Sequence, residues 1–245
     1  MEDRIFKRST NNSISILSSL QNAQKMNKLL VKAIDRHEYI SFDIFDTLLL
    51  RTVKNNSDVF YLTGKKVLGD DRAEEFRRER IEFEKLAREH SSSGEITLDD
   101  IYNEIKINKH ISEENKNLLL LAEQSIEYEN LMPREQVINY YNYSIQQNKK
   151  VLLISDMYLS SNFIMQVLHK NQIIGFEKLY ISCEYGCNKR TGQLFKLVFK
   201  DQRIKKKELL HIGDSIKTDI LGAIKAGNDF FWIPKQKKKV IVGDI

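Results

Sequence analysis

The sequence predicts an α/β fold, a Rossmann-like parallel sheet core with an all-helical insertion after the first strand. Three observations predict it. Five short apolar runs are spaced along the chain at Tyr39–Phe42, Val151–Ile154, Leu179–Ile181, Leu209–Ile212 and Phe230–Ile233; runs of this length bounded by polar residues read as buried strands. Helical periodicity separates the later runs, and strands alternating with helices are joined in parallel by right-handed crossovers. Three of the runs end in a polar group, Asp43, Ser155 and Asp214, at the carboxyl ends where open α/β sheets place their ligands.

The elements follow in order. Residues 13–36 carry Ile16, Leu17, Leu20, Met26, Leu29, Leu30 and Ile34 at helical spacing, which predicts one or two amphipathic helices packed on the sheet. Strand one then delivers Asp43. From Arg51 to about Met132 the character changes to dense charge with helical apolar spacing. Ser57 is placed to cap the first of these helices. Thr97-Leu98-Asp99-Asp100 has the capping-box pattern, Ser112 opens another helix, and Pro133 is placed to stop it. The sheet pattern resumes afterwards. Residues 1–50 and 133–245 are therefore read as the core, with 1–37 a helical extension of it, and 51–132 as a helical cap. Helices are expected over 134–148, 160–171, 192–200 and 216–226, the last closed by Gly227.

Composition limits the function classes. The chain has 245 residues, 41% hydrophobic and 30% charged, with 2 prolines, which suits a globular protein with compact loops. Net charge is +5; this favours an anionic small molecule and is too diffuse to imply nucleic acid. Lys205-Lys206-Lys207 and Lys237-Lys238-Lys239 read as solvated faces or tails. Cys183 and Cys187 are the only cysteines, and their spacing matches no usual zinc or redox pair. Plain thiols, no signal-like apolar core at the N-terminus and no apolar run near about 18 residues predict a cytoplasmic protein without membrane insertion.

The strand ends suggest chemistry. If strand four packs beside strand one, Asp43 and Asp214 face each other, and two close carboxylates repel unless a cation lies between them. Hard oxygen ligands suit Mg²⁺, which also takes substrate phosphate oxygens. Lys189, in Asn188-Lys189-Arg190-Thr191-Gly192, and the Ser155 hydroxyl would hold the remaining phosphate oxygens. Nucleophile, metal, fixed cation and hydroxyl together make a phosphoryl-transfer site.

Four motifs in this order resemble those of the haloacid dehalogenase superfamily, whose members are mostly Mg²⁺-dependent phosphatases. Phe42-Asp43-Ile44-Phe45-Asp46-Thr47-Leu48 resembles the first, Leu152-Leu153-Ile154-Ser155 the second, Lys189 the third, and Gly213-Asp214-Ser215 with Asp219 the fourth. The resemblance covers Tyr39 to about Pro234. It implies Asp43 as nucleophile, Asp214 and the Phe45 carbonyl as further metal ligands, and Thr47, Ser215 and Asp219 in support. The wording Ser41-Phe42-Asp43-Ile44-Phe45-Asp46-Thr47-Leu48-Leu49 with Ile154-Ser155-Asp156-Met157-Tyr158-Leu159-Ser160 is similar to a bacterial branch associated with capsule and lipopolysaccharide biosynthesis, alone or fused to glycosyltransferases. That implies a small phosphorylated metabolite as substrate and association with polysaccharide-synthesis enzymes.

One position departs from the pattern. Phosphatases of the superfamily usually carry an acid two places after the nucleophile to protonate the leaving group; here it is Phe45. Asp46 is one replacement, and His90, Glu127, Glu129 or the substrate itself are others. Phe45 also fits a lapsed module that docks or regulates a glycosyltransferase. The metal-free dehalogenase branch also lacks this acid, but such a site would not need Asp214 facing Asp43. His211 reads as a packed core residue. Arg51 could reach a substrate anion or bridge to the cap.

Overall fold

The computed structural model describes residues 24–236. The early part of the N-terminal helical prediction, 13–23, and the run Lys237–Lys239 lie outside the described residues. Helix α1 covers residues 24–36 and buries Leu30 and Ile34, four residues apart on one face. It leads into β1 (Tyr39–Phe42), all four of whose residues are buried. Strands β4 (Lys150–Ser155), β5 (Lys178–Ile181), β6 (Leu209–Gly213) and β7 (Asp229–Trp232) complete a five-stranded sheet. Its order is β5-β4-β1-β6-β7 and every pairing is parallel. The predicted α/β class is what the chain adopts.

β1 is the centre of this order, so crossovers run to one side of it and then to the other. That reversal opens a crevice at the carboxyl end of β1. Phe42 pairs with Leu153 of β4 and with Ile212 of β6, and the Asp43 amide donates to the Ile212 carbonyl at 2.9 Å. Asp43 and Asp214 are thus carried to the same edge by adjacent strands.

Side chains alternate across the sheet. Ile40, Phe42, Val151, Leu153, Leu210 and Ile212 face a layer that includes Leu30, Ile34, Val137 and Ile164. These come from α1, α6 (Glu135–Gln146) and α7 (Ser161–Lys170). Tyr39, Leu152, Ile154 and Leu209 face Leu194, Phe195, Val198, Ala223 and Ala226, from α9 (Gln193–Gln202) and α10 (Leu221–Ala226). Between β5 and α9 lies a short helix, α8 (Ser182–Tyr185), which four residues of sequence give no period to reveal.

After β1 the chain forms β2 (Leu49–Arg51), then α2 (Asp58–Leu68), α3 (Asp70–His90), α4 (Leu98–Lys109) and α5 (Glu113–Asn130), then β3 (Leu131–Pro133). β2 and β3 pair antiparallel, Leu49 with Pro133 and Arg51 with Leu131. The four helices therefore stand on a two-stranded stalk. Pro133 does not stop a helix as expected: α5 ends at Asn130, and the proline ends the stalk strand, a position where its missing N–H is tolerated. The expected Ser57 cap also fails. Its hydroxyl makes no capping bond; instead Asp58 accepts from the Asn55 amide at 2.7 Å. Thr97 and Asp100 do form the capping box, and Ser112 caps α5. The last predicted helix starts as a π-turn, Ile216–Ile220, before α10, because Ser215 and Asp219 use that turn for hydrogen bonds of their own.

An ion pair locks the helical insertion. Arg80 of α3 donates from Nε and Nη2 to Glu123 of α5, both at 2.8 Å, and the Tyr102 hydroxyl of α4 donates to Glu123 at 2.7 Å. Arg80 and Glu123 are fully buried, and the guanidinium lies over the Phe60 ring at 4.4 Å. Burial raises the cost of leaving either charge alone. Glu123→Ala is expected to destabilise the protein by about 3–5 kcal/mol in chemical denaturation, whereas Glu89→Ala, in an exposed pair with Lys85, should shift it by under about 1 kcal/mol.

Candidate active site

The predicted residues converge at the carboxyl edge of β1. Asp43, Asp214 and Asp219 each present a carboxylate oxygen within 4.8 Å of the others, all three buried. Lys189 Nζ donates to Asp43 Oδ1 at 2.5 Å and to Asp219 Oδ1 at 2.6 Å, and its side chain is 1% exposed. One ammonium thus serves two carboxylates. It cannot neutralise both, and Asp43 is the one left with excess charge. Burial, chiefly, pushes the Asp43 carboxyl up to about 7, with Lys189 opposing and Asp219 and Asp214 adding to the rise. Asp219 is held far below the usual range: burial is outweighed by Lys189 and by hydrogen bonding from His211. Lys189 is held well above its ordinary value, since the attraction of Asp219, Asp43 and Asp156 exceeds the desolvation penalty.

Each group is set by local structure. Asp219 sits in the π-turn, where its second oxygen accepts the Ser215 amide at 2.8 Å; it braces the site from beneath. The Ser215 hydroxyl accepts the Thr218 amide at 3.3 Å. Thr47 donates to Asp214 Oδ1 at 3.1 Å. Lys189 arrives on a loop that only a glycine allows: a Cβ at Gly222 would lie 2.1 Å from the Lys189 carbonyl oxygen. The loop is held further by the Lys189 amide donating to Asp156 at 2.8 Å. Ser155 ends β4, buried, and its side chain has no hydrogen-bond partner among the described residues. His211 is a core residue as expected, edge-on to Phe195 at 4.8 Å, but it also meets the site: Nδ1 lies 2.8 Å from Ser41 Oγ and Nε2 3.4 Å from Asp219 Oδ1.

The donor set fits a hard divalent cation. Asp214 Oδ2 is buried and accepts no hydrogen bond among the described residues; its nearest cation is Lys235 Nζ, at 3.4 Å on an exposed side chain. A buried carboxylate oxygen without a donor is costly, and it sits beside a second carboxylate pushed up to about 7. Oxygen-only ligands of this kind suit Mg²⁺.

The insertion roofs a cavity of about 400 Å³ lined by residues that include Phe45, Asp46, Arg51, Glu127 and Tyr158. Phe45 takes no part in hydrogen bonding through its side chain; the Arg51 guanidinium lies over its ring at 4.9 Å. Arg51 in turn is held by Glu127, Nη2 to Oε1 at 2.8 Å and Nε to both carboxylate oxygens at 3.0 Å. Of the two readings of Arg51, the bridge to the insertion is the one found, and Glu127 is committed to it. His90 faces a different cavity and bonds Glu104, and Glu129 accepts from Ser125, so neither is placed at the crevice. Asp46 is placed there. It adopts φ +60°, the left-handed region, and pairs with Lys235 at 3.2 Å.

Lys235, Arg134 and Asp156 were not read from the sequence. Arg134 donates to the carbonyls of Asp46 at 3.0 Å and Pro234 at 2.7 Å, tying the loop after β1 to the segment after β7. Such contacts join positions 88 and 100 residues apart and leave no local pattern. Asp156 had a signal, a carboxylate directly after a strand-end serine.

Among known proteins, a family model described as haloacid dehalogenase-like hydrolase matches residues 71–233. The match begins after Asp43, so the first motif rests on its own sequence and geometry. No curated protein matches the chain. Solved structures do. The HAD-family enzyme BT-2542 of Bacteroides thetaiotaomicron, in complex with magnesium and inorganic phosphate, is 17% identical with a TM-score of 0.57, over 81% of this chain and 95% of that one. A 2-haloacid dehalogenase of Pseudomonas syringae pv. tomato is 15% identical with a TM-score of 0.58, over 80% and 86%. The L-2-haloacid dehalogenase of Xanthobacter autotrophicus is 13% identical with a TM-score of 0.54, over 79% and 76%. At these identities the likeness is one of fold. The family match covers well over half of the chain, and the chain belongs to the haloacid dehalogenase-like hydrolases.

Proposed function

We propose that this hydrolase is a Mg²⁺-dependent phosphatase for a small phosphorylated metabolite, with helices α2–α5 as its cap. The observation that carries the reading is the buried carboxylate cluster with an undonated oxygen on Asp214 beside a lysine-bridged Asp43. Asp43, Asp214 and the Phe45 carbonyl would hold the ion. Bound there, Mg²⁺ supplies charge stabilisation to a phosphoryl group.

The chain's own residues do the rest. Asp43 attacks phosphorus through its free oxygen while Lys189 fixes the other, giving an aspartyl-phosphate that water then opens. The Ser155 hydroxyl donates to a phosphoryl oxygen. Asp219 and the Gly222 close approach keep Lys189 in place. Phe45 and the Arg51–Glu127 pair exclude water from the leaving-group side. Without an acid at position 45, general-acid help worth roughly 10²–10⁴-fold must come from Asp46 or from the leaving group. Asp46 lines the cavity and is the better placed of the side chains considered. By resemblance, the substrate is a sugar, polyol or amino-alcohol phosphate, nucleotide-linked in one variant of the reading, used in capsule or lipopolysaccharide synthesis. Polysaccharide-synthesis enzymes would be its partners and the cytoplasm its compartment. Among the described residues no helix is long and apolar enough to cross a membrane.

Phe45 favours a second reading, displacement at carbon by Asp43 without metal. It predicts halide release from 2-haloacids that is indifferent to chelation.

Phosphate release from a panel of phosphorylated sugars, polyols and amino-alcohols, with Mg²⁺ and with EDTA, tests the proposal. Turnover of at least one substrate is expected, abolished by EDTA and lowered by at least about a thousandfold in Asp43→Asn. No difference between wild type and Asp43→Asn across the panel would overturn it. Gly222→Ala is expected to cost about 1–3 kcal/mol of stability by overpacking and to lower kcat more than it raises KM, because it moves Lys189 and not the cap; a KM effect alone would contradict that placement.

A further inference from the structure

The cavity under the insertion has two hydroxyls that the fold does not use. Part of its wall comes from the segments that follow Asp43 and Ser155: Phe45 and Asp46 from the first, Met157 and Tyr158 from the second. Both segments start at the carboxylate cluster, so the cavity lies against it. Tyr158 is 8% exposed, and its hydroxyl has no hydrogen-bond partner among the described residues. The buried side-chain atoms left unpaired are Arg134 Nε, Asp214 Oδ2 and Asn228 Oδ1. The Tyr158 oxygen is not one of them, so it reaches open space, and the space that Tyr158 lines is this cavity. Burial raises the phenol well above its ordinary value, so it stays a neutral O–H that can donate and accept. Ser57 lines the same cavity. It makes no capping bond, and its hydroxyl too has no partner among the described residues. The charged groups of the wall, in contrast, are matched. Glu127 holds Arg51, Glu84 meets Arg80 at 3.2 Å and Arg88 at 2.9 Å, and Asp46 meets Lys235 at 3.2 Å. The rings are fixed as well: Arg51 lies over Phe45, and Arg80 over Phe60 at 4.4 Å and over Tyr158 at 5.0 Å.

We infer that Tyr158 and Ser57 select the leaving group of the phosphatase reaction proposed above, and that they select an uncharged polyhydroxylated one, a sugar or polyol, by hydrogen bonding its hydroxyls; the phosphate at its other end rests on that reading. Fixed rings with two neutral hydroxyls are the composition of a pocket that orients a small ligand through a few polar contacts. A ligand without hydroxyls would leave the Tyr158 O–H desolvated and unpaired, and such a site discriminates against it. A second phosphate or a carboxylate would meet the carboxylates of Asp46, Glu84 and Glu127, while Arg51 is already bonded to Glu127; like charges brought that close are disfavoured. An amine would meet carboxylates whose charge Arg51, Arg80, Arg88 and Lys235 already take up. The volume, about 400 Å³, is at the small end of the roughly 300–1,000 Å³ of small-molecule pockets, which suits a single sugar or polyol.

Two measurements test this, one with hydrolysis and one without. In the first, kcat and KM are measured with Mg²⁺ for sugar and polyol phosphates, phosphoethanolamine, phosphoglycerate and p-nitrophenyl phosphate, whose leaving group offers no further hydroxyl. kcat/KM is expected to be at least about tenfold higher for the best sugar or polyol phosphate than for phosphoethanolamine or phosphoglycerate. Tyr158→Phe and Ser57→Ala should each raise KM for that substrate by about three- to tenfold, the effect of one neutral hydrogen bond, and leave KM for p-nitrophenyl phosphate unchanged; a merely structural role would move both. In the second, saturation-transfer NMR detects unphosphorylated sugars and polyols on the full chain. Transfer is expected with the wild type and lost in the double variant, and it reads the cavity whether or not phosphate is released. Each variant removes a single oxygen, and circular dichroism checks that it folds. No phosphate release, with saturation transfer present and lost in the double variant, would sink the phosphatase reading and uphold the hydroxyl pair. Preference for phosphoethanolamine or phosphoglycerate, variants that leave KM unchanged or raise it equally for p-nitrophenyl phosphate, or saturation transfer that is absent or the same in the double variant would overturn the inference.

Discussion

The structure depends on one buried ammonium. Lys189 lies between Asp43 and Asp219, bonded to both, and is almost wholly buried. An ammonium so placed is stable only while its partners remain ionised, and two carboxylates share its charge. Asp219 takes the larger part, because the Ser215 amide and His211 also favour its charged form. Asp43 is left under-compensated, and Asp214 across the crevice adds a further negative charge. The sheet order enforces this crowding: β1 lies between β4 and β6, and the next residue after each strand end is driven to the same edge. Such a cluster draws in positive charge, whether an ion or the electrophilic centre of a bound substrate.

Against this stands the leaving-group side. Where the family pattern places an acid, this chain has Phe45 covered by an arginine that is itself neutralised by Glu127. The Arg51–Glu127 pair joins β2 of the stalk to α5, the last helix of the insertion, and Phe45 packs under it. Phe45, Asp46 and the Arg51–Glu127 pair line the cavity beside the cluster. On the phosphatase reading proposed above, protonation of the leaving group would fall to Asp46, to the substrate, or to a leaving group that needs none. Charge stabilisation alone would then carry a slower reaction.

The sheet and most of the site could be read in the sequence because each rests on a short local pattern. Tyr39–Phe42 is apolar and ends in Asp43; Gly213-Asp214-Ser215 follows Leu209–Ile212 in the same way. Thr97 and Asp100 announce their own helix. Where the reading failed, the determinant lay elsewhere in the chain. Leu131–Pro133 becomes a strand because Leu49–Arg51 offers an edge to pair with, and three residues show no period of their own. Ser57 makes no capping bond, and Asp58, one place away, turns instead to the Asn55 amide before the helix. Glu127 could be named as a cap carboxylate, but only the fold shows that Arg51 had claimed it. Lys235 reaches Asp46 and Asp214 from beyond β7, a contact that only the assembled sheet creates.

The demand of the Asp43–Asp214 pair for a cation is open to direct measurement, independent of any substrate. The purified chain, stripped with EDTA, is titrated calorimetrically with Mg²⁺ beside its Asp214→Asn variant. Saturable binding at one site is expected in the wild type, weakened by at least about tenfold in the variant, which loses a charged oxygen ligand. Absence of binding in the wild type, or equal affinity in the two proteins, would contradict the cluster's role as a metal site.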